Sequence, residues 1–414
     1  MPGMSSWWSL PFRVSPRVSI LCGLVALASG VAGTTVGSAQ QAPTRRVFNV
    51  RETAGISRTQ YPVSVTVQIP RGALTDTTHV RVMTNSAEVP VQFTGRSTWD
   101  DGSVQTLDID FNATMAPEEN RRYELEFGPA ITATVPATGL TVVEQPTAIV
   151  VGNLTFPKSG SPLVSSVTYR GEGIAAGANG LTLTDTNGRR HDLSKAQGAS
   201  LEVVKSGPLL VVLKYTASVP LDETTSLPVD VLMEMPNSKT WLKTTATVYD
   251  RTRRLKDLAL ERPYAWSGFP VLWDFGTDSG TYGVFRAAAD TITLTQSVGA
   301  SGASGWKIET GPLNQRRPVE VSAGSRDKRA TGWGHVQDSK AAVAFGFARF
   351  GRDAGTYTIA LSGAGQATYR YAPAAPPAQQ QIVVFEHFVA TPVAVGAATT
   401  PPARLAPLSV TVER

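Results

Sequence analysis

Pro90 to Phe111 reads Pro-Val-Gln-Phe-Thr-Gly-Arg-Ser-Thr-Trp-Asp-Asp-Gly-Ser-Val-Gln-Thr-Leu-Asp-Ile-Asp-Phe, and this stretch decides the fold. Two runs that alternate apolar and polar residues flank a Trp-Asp-Asp-Gly-Ser turn. Asp101 tolerates left-handed backbone geometry and Gly102 adopts it without steric cost, which suits a tight reversal. The pattern predicts two strands joined by a turn. Its expected core positions are Val104, Leu107, Ile109 and Phe111.

The acidic residues of this hairpin allow two interpretations. They could be the paired carboxylates of a glycosidase, or they could have structural roles. Asp108 and Asp110 share one face of a strand, opposite the apolar positions, so we expect them on the solvent side. Trp99 either caps this domain or stacks on a sugar. We expect a structural turn made by Trp99, Asp101 and Gly102, with Asp100 beside it.

Length and composition favour a folded, turn-rich β protein. The 414 residues are too many for one ordinary core, so two or three domains are expected. Charged residues make up 17%, hydrophobic residues 42%, and there are 37 Gly and 28 Pro, which excludes a disordered chain. Stretches rich in Val, Thr, Leu and Ile favour strands. The predicted fold class is all-β, with a small N-terminal β-barrel or sandwich followed by a large antiparallel β-sandwich. One segment, Arg251 to Glu261, fits either a helix or a strand.

Composition shifts predict the domain organisation. The predicted segments are a signal peptide at 1–39, a disordered leader at 40–46, an N-terminal β-barrel-like domain at 47–129, a linker or crossover at 130–147, and a large β-sandwich at 148–414, either undivided or in two lobes at 148–280 and 281–414.

The first 39 residues have the pattern of an export signal. Arg13 and Arg17 precede a small, apolar run at 18–33, which is short for a membrane span of roughly 20 residues. We therefore predict export to the periplasm or the extracellular space, with no stable membrane span after cleavage. Cys22, the only cysteine, lies in this run, where lipid attachment is the alternative to simple cleavage. The mature chain would then lack disulfides and cysteine catalysis.

The charge of the mature chain gives no case for nucleic acid as a partner. The net charge of +5 includes two signal arginines, which leaves 36 basic and 33 acidic residues, or +3. Local basic runs occur at 251–254, 315–317 and 326–329. They either meet an acidic polysaccharide or are solvated loop charges.

Tryptophans cluster in the second half of the chain. Five of the six in the mature chain lie between positions 241 and 333. Planar rings with a polar edge suit the apolar faces of sugars; alternatively, they fill a large core. The predicted ligand-binding residues are Trp241, Trp266, Trp273, Trp306 and Trp333.

Several short motifs resemble those of the exo-rhamnogalacturonan lyases and their YetA-like relatives. In the N-terminal barrel-like domain they are Pro70, Gly72 and Leu74; Val89, Pro90 and Gln92; and Trp99, Asp101, Gly102, Ser103 and Val104. Farther on, 244–250 (Thr-Thr-Ala-Thr-Val-Tyr-Asp) and 334–338 (Gly-His-Val-Gln-Asp) occupy similar places in the central β-sandwich. The resemblance implies this pair of domains and polysaccharide lyase chemistry. This sequence departs from the family, because those lyases continue into an α/α toroid. The difference implies a separate toroid-bearing catalytic chain or a role as a binding module.

Catalytic motifs give little support for a self-sufficient enzyme. Neither a Gly-x-Ser-x-Gly elbow, a His-Glu-x-x-His helix nor a phosphate loop is present. A lyase acting on uronates needs a base and a cation or metal, and suitable residue types are His335, Tyr249, Arg253, Arg317 and Asp338. His335 is expected in a polar loop and His387 on the solvent side of a strand, while His79 and His191 have no assigned role. The histidine spacing predicts no metal site and no cofactor is expected, although oxygen-ligated calcium stays open.

Three hypotheses follow from the sequence. The first is an exported, carbohydrate-associated β-sandwich protein that binds a polysaccharide of an acidic, rhamnogalacturonan-like kind, without catalysis of its own or with a partner. The second is a polysaccharide lyase that cleaves uronate-containing glycans by β-elimination. The third is a structural module of the cell envelope without a sugar ligand.

Overall fold

The protein is built almost entirely from strands. A computed structural model describes residues 44–413, except 135, 137–138, 161–162, 170–171, 177–179, 278–280, 303, 312–316, 323–329 and 390–405. Within these ranges it contains 30 strands, numbered β1 to β30 along the chain, and two short 3₁₀ turns at Thr77–His79 and Leu193–Lys195. The prediction of an all-β, antiparallel fold is confirmed. Among the described residues, no helix has the length and hydrophobicity needed to cross a lipid bilayer.

Two facing sheets form a small unit, here called the N-terminal sandwich. The larger has the order β30-β1-β7-β3-β4 and the smaller β2-β6-β5. Phe48 of the larger sheet meets Phe111 of the smaller at 6.0 Å between ring centroids, so the two sheets share one core. The predicted core positions of the hairpin are confirmed, since all four are buried. The strands are β1 (Thr44–Arg51), β2 (Arg58–Gln68), β3 (Val80–Thr84), β4 (Ala87–Val89), β5 (Val91–Thr98), β6 (Val104–Met115), β7 (Asn120–Phe127) and β30 (Ser409–Val412).

A tight turn joins β5 to β6. The Asp101 carboxylate accepts hydrogen bonds from the backbone N–H and the hydroxyl of Ser103, at 2.9 and 2.6 Å. Gly102 has φ +82°, a left-handed conformation that favours glycine. The Trp99 indole N–H donates to the carbonyl of Ile69 at 3.0 Å, which holds the half-buried ring against the strand end.

Two larger sheets pack face to face as the large sandwich. The front sheet has the order β15-β16-β17-β18-β29-β26-β25-β20-β21, and the back sheet β14-β13-β19-β28-β27-β22-β23-β24. The front-sheet strands are β15 (Gln197–Lys205), β16 (Leu210–Pro220), β17 (Ser226–Pro236), β18 (Trp241–Tyr249), β20 (Val271–Phe275), β21 (Thr281–Phe285), β25 (Trp333–Gln337), β26 (Ala342–Phe347) and β29 (Gln379–Val389). The back-sheet strands are β13 (Leu181–Asp185), β14 (Arg190–Asp192), β19 (Leu255–Pro263), β22 (Thr291–Val298), β23 (Ser304–Thr310), β24 (Arg317–Ser322), β27 (Gly355–Ser362) and β28 (Gln366–Pro373).

A third, shorter sheet adds apolar residues to the same core. Its order is β12-β11-β10-β9-β8, and its Phe156 is fully buried in the core of the large sandwich. The segment after Arg251, left open between helix and strand by the sequence, forms a turn followed by β19. The strands of this sheet are β8 (Val142–Glu144), β9 (Ala148–Val151), β10 (Leu154–Pro157), β11 (Ser166–Tyr169) and β12 (Glu172–Ala176).

A buried ion pair lies between the front and back sheets. The Arg262 guanidinium is 2.9 Å from the Glu386 carboxylate, and both side chains are essentially inaccessible to water. The Tyr264 hydroxyl donates to the same carboxylate at 2.8 Å and also lies 2.8 Å from the Tyr369 hydroxyl. Burial and the negative charge of Glu386 raise the pKa of both tyrosines well above the ordinary value. The pair is therefore embedded in a hydrogen-bonded network in the core.

The smaller sheet of the N-terminal sandwich packs against the edge of the front sheet. Lys205 of β15 places its ammonium 3.0 Å from Asp108 and 2.8 Å from Asp110 of β6. Both carboxylates are buried, so the prediction that they face solvent is wrong. The strand alternates as expected, but its second face is covered by the large sandwich. At the same interface, Gln92 accepts from the backbone N–H groups of Leu209 and Leu210, each at 2.9 Å.

Some of the predicted segments lie outside the described residues, and others contain strands. Residues 1–39, with Cys22, lie outside the described residues. Residues 44–46, predicted as the end of the leader, belong to β1, and the predicted linker contains β8. Both large sheets combine strands from before and after residue 280, and β30 pairs with β1. The domain boundaries stay a prediction.

Candidate functional site

A cavity of about 770 Å³ opens between the N-terminal sandwich and the front sheet. One wall comes from β2 and from the segment that leads into β30, and the opposite wall comes from the segments around β25 and after β26. Its floor is the outer face of the front sheet. The lining includes Tyr61, Glu234, Trp241, Lys243, Trp333, Val383, Phe385, Arg349 and Arg352.

Strand register explains why these floor residues meet. In antiparallel ladders, directly paired residues point to the same face of the sheet. Trp333 pairs with Gly346, Gly346 with Phe385, Phe385 with Lys243, and Lys243 with Glu234. This row crosses five strands, or about 19 Å. The small Gly346 leaves room above the sheet between the two aromatic rings.

Aromatic rings form the apolar part of the cavity. The Trp241 ring contacts Tyr61 and Phe385 edge to face, with centroids 5.7 and 5.3 Å apart. Trp241 is 7% exposed and belongs to the core of the N-terminal sandwich, whereas Trp333 is half-buried and borders open space. A side chain at Gly276 would place its Cβ 2.2 Å from the Trp333 ring, so glycine there permits the position of the indole.

Charged groups lie on the floor and at the rim. The Lys243 ammonium is 2.5 Å from the Glu234 carboxylate, and both side chains are about a quarter to a third exposed, at 32% and 26%. At the rim, Arg349 pairs with Asp353 through two hydrogen bonds of 3.1 and 2.6 Å. Arg352 is exposed and has no ion-pair partner in the described part of the chain. The lining therefore carries one acidic side chain and three basic ones.

The predicted base His335 is fully buried in β25 rather than exposed in a loop, so the loop prediction is wrong. Its Nδ1 lies 2.6 Å from the Asp274 carboxylate, which also accepts the backbone N–H of His335 at 2.7 Å. Asp338 accepts hydrogen bonds from Ser267 and from the backbone N–H groups that follow it. Burial acts to raise the pKa of Asp338, but these hydrogen bonds outweigh it and lower the pKa. Neither residue lines the cavity.

The other catalytic candidates lie elsewhere. Tyr249 is at the far end of β18, eight residues from Trp241, or about 26 Å along the strand. Arg253 occupies an exposed turn with φ +56°. Arg317 begins β24 of the back sheet. The structure does not bring the five candidates together.

The five predicted sugar-binding tryptophans are also divided. Trp241 and Trp333 line the cavity. Trp273 and Trp306 are 7% and 4% exposed and belong to the core of the large sandwich. Trp266 is half-buried against that core, near Tyr264. Two of the five rings therefore share one open space.

Sequence reasoning missed Glu234, Lys243, Phe385 and Arg352. The signal was present for Glu234 and Lys243, because they lie at alternating positions of β17 and β18. It was absent for Phe385, because the outer face of β29 carries Val383 and Phe385 while the polar Gln380 and Glu386 are buried. The pairing of these strands, which places the residues in one row, cannot be read from one sequence.

His387 lies beside the cavity floor and is mostly buried, so the prediction of a solvent-facing side chain is wrong. Its ring is 5.4 Å from that of Trp241. Burial, with a smaller effect of the Lys239 charge, lowers the pKa of His387 to about 4. The imidazole is therefore neutral in the folded protein across the physiological range.

We expect His387 to make stability sensitive to acid. Its unfolded pKa is near 6.5, so between pH 6.5 and 4 the unfolded chain binds a proton that the folded chain does not. Its stabilising contribution is complete above pH 6.5 and falls by about 3 kcal/mol by pH 4. Urea unfolding of wild type and His387→Gln from pH 7 to 4 should show a shallower fall for the variant. Parallel curves would contradict this.

No group of three or more His, Cys, Asp or Glu side chains in the described ranges is arranged to hold a metal ion.

Comparison with known proteins gives a likeness of fold. No protein-family model matches the sequence, and no curated protein matches it. An alpha-mannosidase from Enterococcus faecalis V583 is similar at a TM-score of 0.53 and 12% identity, over 89% of this chain and 46% of that one. A protein in glycosyl hydrolase family 38 from Enterococcus faecalis is similar at a TM-score of 0.54 and 12% identity, over 89% of this chain and 47% of the other. This chain thus spans about half the length of these solved structures and is similar in fold to the matched part of each.

Proposed function

We propose that the protein is an exported, carbohydrate-associated β-sandwich protein that binds a polysaccharide in the cavity between the N-terminal sandwich and the front sheet. It does so without catalysis of its own or together with a separate toroid-bearing catalytic chain. The observation that carries this proposal is the floor of the cavity, where aromatic rings lie beside a carboxylate and an ammonium group.

This floor has the chemistry that a sugar requires. The faces of pyranose rings carry C–H groups that pack on Trp and Phe, while their hydroxyls need hydrogen-bond donors and acceptors. Trp333 offers a half-buried ring, and the Glu234–Lys243 pair lies in the same row of the sheet. A ligand in the cavity could therefore contact both kinds of group.

The charges of the lining favour an acidic glycan. Lys243 is paired with Glu234 and Arg349 with Asp353, so the exposed Arg352 supplies the surplus positive charge at the rim. A guanidinium binds a carboxylate through two parallel hydrogen bonds. A uronate-containing chain, such as a rhamnogalacturonan-like polymer, is the proposed ligand class.

The fold likeness supports this proposal only as an analogy. The solved structures of similar fold are described as an alpha-mannosidase and a glycosyl hydrolase family 38 protein. Because one fold can host many functions, the assignment to carbohydrate depends on the site and not on the fold. The separation of the catalytic candidates supports binding over catalysis.

Replacing Trp333 with Ala should weaken glycan binding by at least about tenfold, since buried Trp contacts often dominate a binding energy. Calorimetric titration with polygalacturonate and with rhamnogalacturonan I measures the change. Trp99→Ala is the matched control, because Trp99 is also half-buried but lies outside the cavity lining. Equal effects of the two variants would contradict the assignment of the site.

Two further results would change the proposal. Sustained formation of unsaturated uronate by the purified protein, followed by ultraviolet absorbance, would replace binding with lyase activity. Silence on a glycan array that includes acidic and neutral polysaccharides would favour the structural module of the cell envelope.

A further inference from the structure

The cavity floor continues as an open sheet surface. Beyond the row of Lys243, the same face of β18 and β29 carries three more rows, at Thr245, Thr247 and Tyr249, and the first two extend to β17. From Lys243 to Tyr249 is six residues along β18, or about 20 Å. We call this surface the sheet platform. Its residues are Asp230, Leu232, Thr245, Thr247, Tyr249, Gln379, Gln381 and Val383, with Lys214 on the adjoining strand.

Contacts with the N-terminal sandwich lie at the opposite end of these strands. Asn112 of β6 bonds Asn237, and Lys239 donates to the carbonyl of Thr59, at 3.0 and 2.7 Å. Asn237 and Lys239 form the turn between β17 and β18, whereas the platform runs away from that turn. Tyr249 is 39% exposed and Gln381 is exposed. The platform is thus accessible at Tyr249, Gln379 and Gln381, whereas Thr247 is buried, and Val383 makes it continuous with the cavity.

Polar groups on the platform are held in place by one another. The Asp230 carboxylate lies 3.4 Å from the Lys214 ammonium and accepts a hydrogen bond of 3.4 Å from the Tyr249 hydroxyl. The Gln381 amide donates to the Thr247 hydroxyl at 3.0 Å. Half-buried Leu232 and Val383 lie between these groups and the cavity. The surface combines an aromatic ring, apolar patches and hydrogen-bonding groups along one line.

We propose that the platform holds the part of a polysaccharide chain that leaves the cavity, with Tyr249 as the outermost sugar contact. The inference rests on the proposed function and specifies its ligand as an extended chain of several sugar units. A single sugar or a short oligosaccharide would occupy the cavity and leave the platform empty. Each platform contact adds binding energy only for chains long enough to reach it.

The test compares oligogalacturonides that fill only the cavity with longer ones that reach Tyr249, using calorimetry. Wild-type affinity should rise with chain length. Tyr249→Ala should lower affinity for long chains by about five- to tenfold and leave affinity for short chains unchanged. Gln381→Ala should show the same length dependence with a smaller effect.

Tyr282→Ala is the matched control. Tyr282 is a 70% exposed tyrosine on the same face of the front sheet, but on its edge strand β21. It should leave the affinity for every chain length unchanged. If affinity does not rise with length, or if Tyr249→Ala weakens short and long chains equally, the platform inference fails while binding in the cavity stands. If oligogalacturonides of no length bind, both proposals fail.

Discussion

Replacing Glu386 with Ala should lower the free energy of unfolding by about 3–5 kcal/mol, the cost of breaking a buried ion pair from one side. The variant leaves the Arg262 guanidinium buried without its counter-charge and removes the acceptor of the Tyr264 hydroxyl. Urea unfolding followed by circular dichroism measures the loss. We expect the urea concentration at half-unfolding to fall, without a large change in how steeply the free energy of unfolding depends on urea.

Two variants separate the effect of burial from that of charge pairing. Asp353→Ala breaks the Arg349–Asp353 pair, whose side chains are 67% and 42% exposed. Because exposed pairs contribute little, this change should cost about 0–1 kcal/mol. The double variant Arg262→Met, Glu386→Leu should recover much of the stability that Glu386→Ala loses, since it removes both buried charges. Equal costs for the buried and exposed pairs would contradict this account.

Trp241→Ala should affect stability and binding together. The ring packs between Tyr61 of the N-terminal sandwich and Phe385 of the front sheet, so its removal leaves a void at their contact. Large-to-Ala changes of this kind cost about 3–5 kcal/mol. The same void enlarges the cavity floor, and we expect weaker binding of polygalacturonate. Thermal unfolding and calorimetry, with binding measured below the onset of unfolding, report the two effects.

Trp241→Phe is the informative partner variant. It keeps an aromatic ring between Tyr61 and Phe385 and should lose less stability than Trp241→Ala. If Trp241→Ala unfolds at the wild-type temperature, the Trp241 ring does not stabilise the contact between the N-terminal sandwich and the front sheet. Unchanged glycan affinity in a folded Trp241→Ala protein would place the sugar elsewhere in the cavity.

The fold class could be predicted because strand alternation is a local signal. In β6, Leu107, Ile109 and Phe111 are buried as their spacing predicts. For Asp108 and Asp110 the same alternation led to a wrong prediction of solvent exposure, because the partner that covers them, Lys205, is almost a hundred residues away in the sequence. A strand pattern shows which face is apolar, but it does not show whether a second unit packs on the polar face.

The residue types of the site could be predicted from the sequence, but the positions of those residues in the fold could not. The sequence indicates an unusual density of tryptophan, yet Trp273 and Trp306 are core residues while Trp241 and Trp333 reach a shared cavity. Whether a tryptophan lies in the core or at the cavity depends on which strands pair and on small residues such as Gly346 and Gly276 beside Trp333. Such details arise from tertiary pairing, to which single-residue preferences contribute little.

The pairing of β30 with β1 has a consequence for biosynthesis. The side-chain amide of Asn49 bonds the carboxylate of Glu413, 364 residues later. While a ribosome makes the intervening chain, one edge of β1 has no native neighbour, and an open edge can recruit strands from other nascent molecules. The sheet that contains β1 is thus completed only when β30 has been made, and we expect slow folding, because strands so far apart in sequence pay a large loop-closure entropy before they pair.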